Sequence, residues 1–361
     1  LSWTLDKYTR VPKPSQETIQ EMHQAIQETT NLIRGQTNIY LGQHVIIPGS
    51  NGKALATQVA SHLKFPKIVD THISRFNDGE IRIQIQETIR GKHVYIIQSI
   101  GSSATSGSVN DALVETLLLV DTARKSSASK ITLVLPYYGY ARQDRKTRSR
   151  EPISASVIAR LLETVAPDRI VTIDLHCGQI QGFFHNTTID HLHAEGIFAD
   201  WIKDTFISPS SDLVIVSPDA GGVERAGAIQ RRTGISAMAT IIKRRANAGT
   251  LDSMQLVGDV AGKAAIIIDD MIDTAGTLCK AAELLMQSGA TDVYACATHG
   301  LFSGPAFKRI EASCLRRVVV TNTLERDGKH QDKIKVLDIA PLIGKALSCI
   351  IEKKSVSSLF Q

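Results

Sequence analysis

The 361-residue sequence has no run of 18 apolar residues, no block of five or six like charges and no closely spaced cysteine pair. The first absence excludes a membrane-spanning helix. The second excludes a basic nucleic-acid arm or membrane patch, and 41 Lys and Arg against 36 Asp and Glu leave a formal charge of only +5. Five cysteines (Cys177, Cys279, Cys296, Cys314 and Cys349) are odd in number and scattered, so neither a disulfide framework nor a zinc site fits. A reducing compartment, the cytoplasm, is the expectation. What is present is 43% hydrophobic residues, enough for buried cores and incompatible with wholesale disorder. The length is about twice that of a common domain, which predicts two domains.

Residues 15–34 read as an appended helix: Ser15 is a plausible cap, and Ile19, Met22, Ile26 and Ile33 fall near helical spacing. Glu17, Glu21 and Glu28 distinguish this segment from an acid-poor transit peptide, although an organellar address upstream of Leu1 is compatible with the sequence. From residue 43 onward, β-branched runs alternate with helical patterns. The clearest strands are 44–47, 94–98, 131–135, 170–175, 213–216, 264–268, 293–298 and 318–321. Several are almost uniformly apolar, as parallel strands covered on both faces are. The intervening helical patterns, such as 111–124, 154–165, 222–232 and 274–288, complete an α/β, doubly wound alternation with mainly parallel sheets. It runs twice, over residues 40–192 and 193–345, after an extension at 1–40 and before a tail at 346–361. The Gly- and Ser-rich stretch Gly101–Asn110 predicts a surface loop without evident chemistry.

Chemistry concentrates in five places. In Ile266–Leu278 an apolar strand runs into Asp269 and Asp270, and a turn through Asp273, Thr274, Ala275, Gly276 and Thr277 opens a helix. Adjacent carboxylates accept hydrogen bonds from a vicinal diol, while the amide groups, hydroxyls and positive helix end cradle a phosphate. A sugar carrying both groups fits; a capped helix after a buried strand is the bland alternative. In Ser217–Arg225, Asp219 ends another strand and suits Mg2+, unless Gly221 and Gly222 merely make a tight turn. In Asp174–Gln181, His176 stands two residues beyond Asp174 at a strand end, where metal or phosphate binding competes with burial as an ordinary core histidine. Arg142, Arg145, Lys146, Arg148 and Arg150, with Gln143 and Asp144 among them, match polyphosphate better than nucleic acid. The basic run Lys243–Gly249 follows a strand near 237–242 and reads as a loop able to close on phosphate. Finally, Phe76 beside Asp78 and Glu80, around the turn at Gly79, offers a ring face and two acceptors for an adenine, although a plain turn explains it equally.

The strings IIIDDMIDTAGTL, RFNDGE, YARQDRK, DLHCGQIQGFF, SPDAGGVERA and THGLFSGPA resemble those of the class I ribose-phosphate diphosphokinases, from about residue 43 to Phe360. The resemblance implies two tandem phosphoribosyltransferase-like domains, the first binding ATP and the second ribose 5-phosphate, and transfer of a diphosphoryl group from Mg-ATP. It assigns Asp269, Asp270 and Asp273 to Thr277 to the sugar phosphate. Phe76, Asp78, Gly79, Glu80, Arg142, Gln143 and His176 go to ATP, the turn residues reaching a neighbouring subunit's nucleotide. His176 and Asp219, with Asp174 behind them, are assigned to Mg2+, and Lys243 and Arg245 to the transferring group. It further implies homo-oligomers, hexamers built from dimers, and no nucleic-acid or membrane partner. Gly178, Thr147 and the length of Gly101–Asn110 depart from many members. Ser355, Ser357 and Phe360 match a tail that, in regulated members, contributes to a phosphate or ADP pocket. A non-catalytic synthetase-associated subunit and a phosphoribosyltransferase are the competing readings; the intact Lys and Arg of KRRANAG weigh against the first, and RFNDGE and YARQDRK against the second.

Overall fold

A computed structural model describes residues 43–63, 67–206, 212–244, 253–325 and 332–359, together with 20, 22–24, 26 and 27. Those six are helical, in line with the appended helix, and Met22 and Ile26 are exposed on it. Ser15, Glu17, Ile19, Glu21, Glu28, Ile33, Arg245 and Phe360 lie outside the described residues.

In chain order, β1 (His44–Pro48) leads into α1 (Lys53–His62), a hairpin of β2 (Thr71–Arg75) and β3 (Ile81–Ile85), and β4 (His93–Ile97). There follow α2 (Val109–Lys125), β5 (Lys130–Leu135), α3 (Ser154–Thr164), β6 (Arg169–Ile173) and β7 (Thr188–Leu192). Strands β1, β4, β5, β6 and β7 form one parallel sheet in that order, with the antiparallel β2–β3 hairpin apart from it. The chain continues with α4 (Glu195–Thr205), β8 (Leu213–Ser217), α5 (Val223–Thr233), β9 (Ala237–Arg244), β10 (Ser253–Val257) and β11 (Ala264–Ile272). It ends with α6 (Gly276–Gln287), β12 (Asp292–Gly300), α7 (Ala306–Ala312), β13 (Leu315–Thr321), β14 (Ile334–Leu337) and α8 (Ala340–Ile351). The second sheet has the order β10-β9-β8-β11-β12-β13-β14, and only β9 and β10 pair antiparallel. Among the described residues no helix is long and apolar enough to cross a membrane.

Strands β1 and β8 are buried at every position, the state their unbroken apolar runs predict. Most boundaries shift by one to three residues from the sequence reading, and three of the shifts have a clear local reason. The strand expected to end at Leu175 stops at Ile173, because Asp174 turns into the left-handed region (φ 39°). Strand β11 does not end before the two acids but runs through them to Ile272, held by pairing of Asp269 with Ala297 and Met271 with His299. Strand β9 reaches Arg244, because pairing with β10 extends it past Ile242.

The two sheets share a central core. Leu55 and Val59 of α1 join Ile215, Ile266 and Leu347 in one cluster, while separate clusters fill the outer face of each sheet. Helix α8 spans the expected start of the tail and buries Ile343 and Leu347 fully, roughly 1.5–3 kcal/mol of apolar burial each. The second sheet reverses winding between β8 and β11, the switch that opens a ligand crevice at carboxyl strand ends. The first sheet has its own reversal, since Ile46 of β1 bridges Ile68 on one side and β4 lies on the other.

Candidate active site

At the switch of the second sheet lies an open cavity of about 1230 Å³, walled by residues of both halves. Strand β8 delivers Asp219, whose Oδ1 accepts the Gly222 N–H at 3.1 Å, while Ser217 Oγ donates to the Asp219 carbonyl at 2.7 Å. A Cβ on Gly222 would sit 2.9 Å from Ser217 Oγ, so a side chain there would crowd that hydroxyl. Helix α5 then begins and places Arg225 in its first turn.

Strand β11 delivers Asp269 and Asp270, and the Asp270 amide donates to Asp269 Oδ1 at 2.9 Å. His176 Nδ1 meets Asp270 Oδ2 at 2.6 Å, and Arg225 Nη1 lies 3.9 Å from Asp270 Oδ1. Burial alone would raise the Asp270 carboxyl, but the His176 hydrogen bond and the Arg225 charge outweigh it and hold it low. Asp269 moves the opposite way, pushed up first by burial and then by the charge of Asp270. His176 is raised, chiefly by its hydrogen bond to Asp270. The two neighbouring acids are thereby shifted in opposite directions.

Beyond β11, Ala275 adopts a left-handed conformation (φ 58°) and turns the chain into α6. The amide groups of the first turn of α6 therefore lie on the cavity wall with Thr274 and Thr277. Arg309 donates to the Thr274 carbonyl at 2.9 Å, and a Cβ on Gly276 would approach its guanidinium to 3.2 Å. Across the cavity, Arg142 Nη1 pairs with Asp273 Oδ2 at 2.6 Å, joining the arginine-rich segment of the first half to the sugar-phosphate turn of the second. Left-handed, non-glycine backbone at both Asp174 and Ala275 marks stored strain on the two sides of the cavity.

Arg142, Asp174, His176, Asp219, Asp269, Asp270 and the Asp273–Thr277 turn thus meet at one cavity. Phe76, Asp78, Gly79 and Glu80 do not line it; they form the exposed turn between β2 and β3, with Phe76 52% accessible. Gln143 also stands outside, its Oε1 accepting the Ser154 hydroxyl. Lys243 is paired through its backbone with Met254 near the end of β9, next to Ile242 on the cavity wall, and Arg245 follows outside the described residues.

Asp174 also ties the two halves together. Its carboxylate accepts from Thr298 Oγ1 at 2.6 Å and the Ala194 amide at 3.1 Å, and it faces His193 Nδ1 at 3.3 Å. Its carbonyl faces His299 Nε2 at 3.1 Å. Asp174, His191 and His193 each bring one potential ligand atom within 4.8 Å of the others, but the Leu175 amide already donates to His191 Nε2 at 2.9 Å. That bond and the donors on Asp174 make the group an internal network. Arg225 was missed by motif reading. Its signal was a cation in a first helical turn, where the helix dipole favours acids.

Comparison with known proteins agrees with this geometry. Residues 44–166 match the N-terminal domain of ribose phosphate pyrophosphokinase, and residues 222–361 match the phosphoribosyl synthetase-associated domain. The ribose-phosphate pyrophosphokinase of Aquifex aeolicus is 46% identical over 315 residues, covering 87% of this chain and 98% of the relative. That of Bacillus caldolyticus is 50% identical over 289 residues, 80% of this chain and 89% of the relative. The crystal structure of phosphoribosylpyrophosphate synthetase from Mycobacterium smegmatis aligns with a TM-score of 0.79 at 39% identity, over 86% of this chain and 99% of that one. With both halves matched and the relatives covered almost end to end, the chain belongs to the ribose-phosphate pyrophosphokinase family.

Proposed function

We propose that the chain is a ribose-phosphate diphosphokinase, moving the β,γ-diphosphoryl group of Mg-ATP to the 1-hydroxyl of ribose 5-phosphate. The observation that carries this reading is the acid pair Asp269–Asp270 set beside the Asp273–Thr277 cradle, with His176 hydrogen-bonded to Asp270 and Asp219 lining the same cavity. The carboxylates accept the ribose 2- and 3-hydroxyls, and the amides and hydroxyls at the start of α6 hold the 5-phosphate. Held this way, the anomeric oxygen attacks the β-phosphorus. The bond from that phosphorus to the oxygen bridging the α-phosphate breaks, AMP leaves, and the hydroxyl proton is released.

The donor set fits Mg2+: carboxylate oxygens dominate, and the half-buried Asp269, whose ionisation is opposed by desolvation and by Asp270, gains from a nearby cation. His176 and Asp219 would hold it, with Asp174 behind them orienting the wall; bound there, Mg2+ offsets the charge of the phosphate oxygens. Arg142 and Gln143 approach the nucleotide from the first half. Phe76, Asp78, Gly79 and Glu80, exposed away from their own cavity, serve the nucleotide of a neighbouring subunit, and we therefore assign the active form to a homo-oligomer. Lys243 and Arg245 supply positive charge for the migrating diphosphoryl group. A cytoplasmic location, and a phosphate or ADP pocket near Gly178, Ser355, Ser357 and Phe360, belong to the same reading.

The test is a mass-resolved assay of products. Purified protein with ATP and ribose 5-phosphate yields AMP and 5-phosphoribosyl 1-diphosphate, and Lys243→Ala lowers kcat by about 10²–10³ while ATP binding persists. No AMP from the intact chain would favour the non-catalytic subunit, and a near-normal kcat in the variant would remove Lys243 from the chemistry.

A further inference from the structure

The Gly101–Asn110 stretch, a surface loop by composition, has no part in the reaction above, yet hydrogen bonds anchor it to the body of the protein. Ser103 and Gly107 exchange both backbone hydrogen bonds at 3.0 Å, and Ser106 is buried. Asn51 Nδ2 supports the loop from below, donating to the Ser99 and Gly101 carbonyls at 3.1 and 2.6 Å, and Ser103 Oγ donates to Asn51 Oδ1. The loop follows the end of β4, with Gly101 and Ser106 buried and most of its other residues exposed. On one side it is tied to the second half, through Thr105 Oγ1 to Glu325 Oε2 at 2.7 Å and through the neighbouring Ser99 Oγ to the Thr323 carbonyl at 2.5 Å.

On the other side it holds Arg75, the last residue of β2. Arg75 Nη2 donates to the Ser106 carbonyl at 2.6 Å, and Nη1 donates to Asp111 Oδ1 at 2.9 Å and to the Gly79 carbonyl at 3.0 Å. Asp111 is itself fixed by Ser108, whose amide and hydroxyl donate to its Oδ2 at 2.8 and 2.6 Å. Gly107 has φ 88°, and a Cβ there would lie 2.9 Å from Asp111 Oδ2 and 3.1 Å from Arg75 Nη2, so a side chain would crowd both. The Phe76–Glu80 turn closes on itself, by the Phe76 amide to the Glu80 carbonyl and the Gly79 amide to the Phe76 carbonyl. Arg75 ties this closed turn to the body of the protein.

We infer that Arg75 is a positioning residue for base recognition: clamped by Asp111 and by the Ser106 carbonyl of the loop, it fixes Gly79 and so sets how Phe76, Asp78 and Glu80 are presented to the adenine. The inference rests on the reading of that turn as the base-binding element. An exposed hairpin tip released from its tether must be ordered again on each binding event, and that cost appears in nucleotide affinity. The fork of the guanidinium serves three acceptors at once, which a lysine cannot reproduce.

Steady-state kinetics on the full-length oligomer test it. Arg75→Met is expected to raise KM for ATP about tenfold or more, to leave KM for ribose 5-phosphate within about twofold, and to weaken the preference for ATP over GTP. Arg75→Lys recovers part of the loss, and Asp111→Asn, which preserves side-chain shape, moves KM for ATP in the same direction should the methionine variant fold poorly. If Phe76→Ala raises KM for ATP while Arg75→Met and Asp111→Asn do not, the positioning role is wrong. A parallel rise in both KM values would reduce Arg75 to a general structural contact and overturn it equally. If Phe76→Ala itself changes neither KM for ATP nor base preference, the base reading fails and takes the role of Arg75 with it.

Discussion

At the scale of single residues, the histidines divide by environment. His176 is charged more readily because Asp270 accepts its hydrogen bond. His93, far from the cavity, is held neutral. It stacks on Tyr95 at 4.4 Å between ring centres, shares the Tyr95 hydroxyl with His44, and reaches Thr132 Oγ1 at 2.9 Å. Burial, helped by the neighbouring His44, lowers it to about 4. Its folded value lies below its unfolded one, so its contribution to stability is present above about 6.5 and lost as pH falls toward 4. At pH 5 the loss is on the order of 2 kcal/mol. Melting curves at pH 7 and pH 5 should show a drop that His93→Gln makes smaller; an unchanged drop would mean His93 does not contribute to the acid limb. Asp269 and Asp270 were legible from sequence because two acids directly after three consecutive isoleucines of a strand have no place in an apolar core. Arg225 was not, since its significance depends on Asp270, which lies 45 positions away and meets it only after the sheet forms.

At the scale of elements, the site is two strand-turn-helix units side by side, and each turn has its own steric requirement. In the β8–α5 turn the limit is the Ser217 hydroxyl, 2.9 Å from where a Cβ on Gly222 would stand. Gly222→Ala should therefore cost roughly 1–3 kcal/mol by overpacking. Adding Ser217→Ala should return part of that loss by removing the obstructing oxygen; a double variant no more stable than Gly222→Ala alone would locate the strain elsewhere. Apolar runs revealed the strands well, since burial on both faces leaves an unbroken signature in β1 and β8. Their ends were less legible. The termination of β6 depends on Asp174 finding Thr298 and Ala194, and the reach of β9 depends on β10, so neither is encoded locally. The Gly101–Asn110 stretch is the mostly exposed loop its composition indicates, but its anchoring through Asn51 and Arg75 depends on partners distant in sequence and was not legible.

At the scale of the whole molecule, the repeated α/β pattern was visible, but the shared core between the repeats was not. Helix α8 comes from the end of the sequence and lies against α1 from near its beginning, so closely that a Cβ on Gly344 would come within 2.8 Å of His62 Cβ. Asn322 reinforces the junction, donating to Gln58 Oε1 at 2.9 Å and to Asp338 Oδ1 at 3.0 Å and accepting from the Ile339 amide at 2.7 Å. Asn322→Ala should lower stability by about 1–2 kcal/mol. Urea unfolding followed at Trp201, which belongs to the same central cluster, would register it, and an unshifted midpoint would show the junction to be held by apolar packing alone.

That packing has a temporal consequence. During synthesis the first sheet emerges from the ribosome long before Ile343 and Leu347, and until those side chains arrive the part of α1 that α8 covers is without its partner. The amino-terminal half therefore reaches its finished form only once translation is nearly over, and a message cut short before residue 340 would yield a chain prone to clumping and fit for degradation.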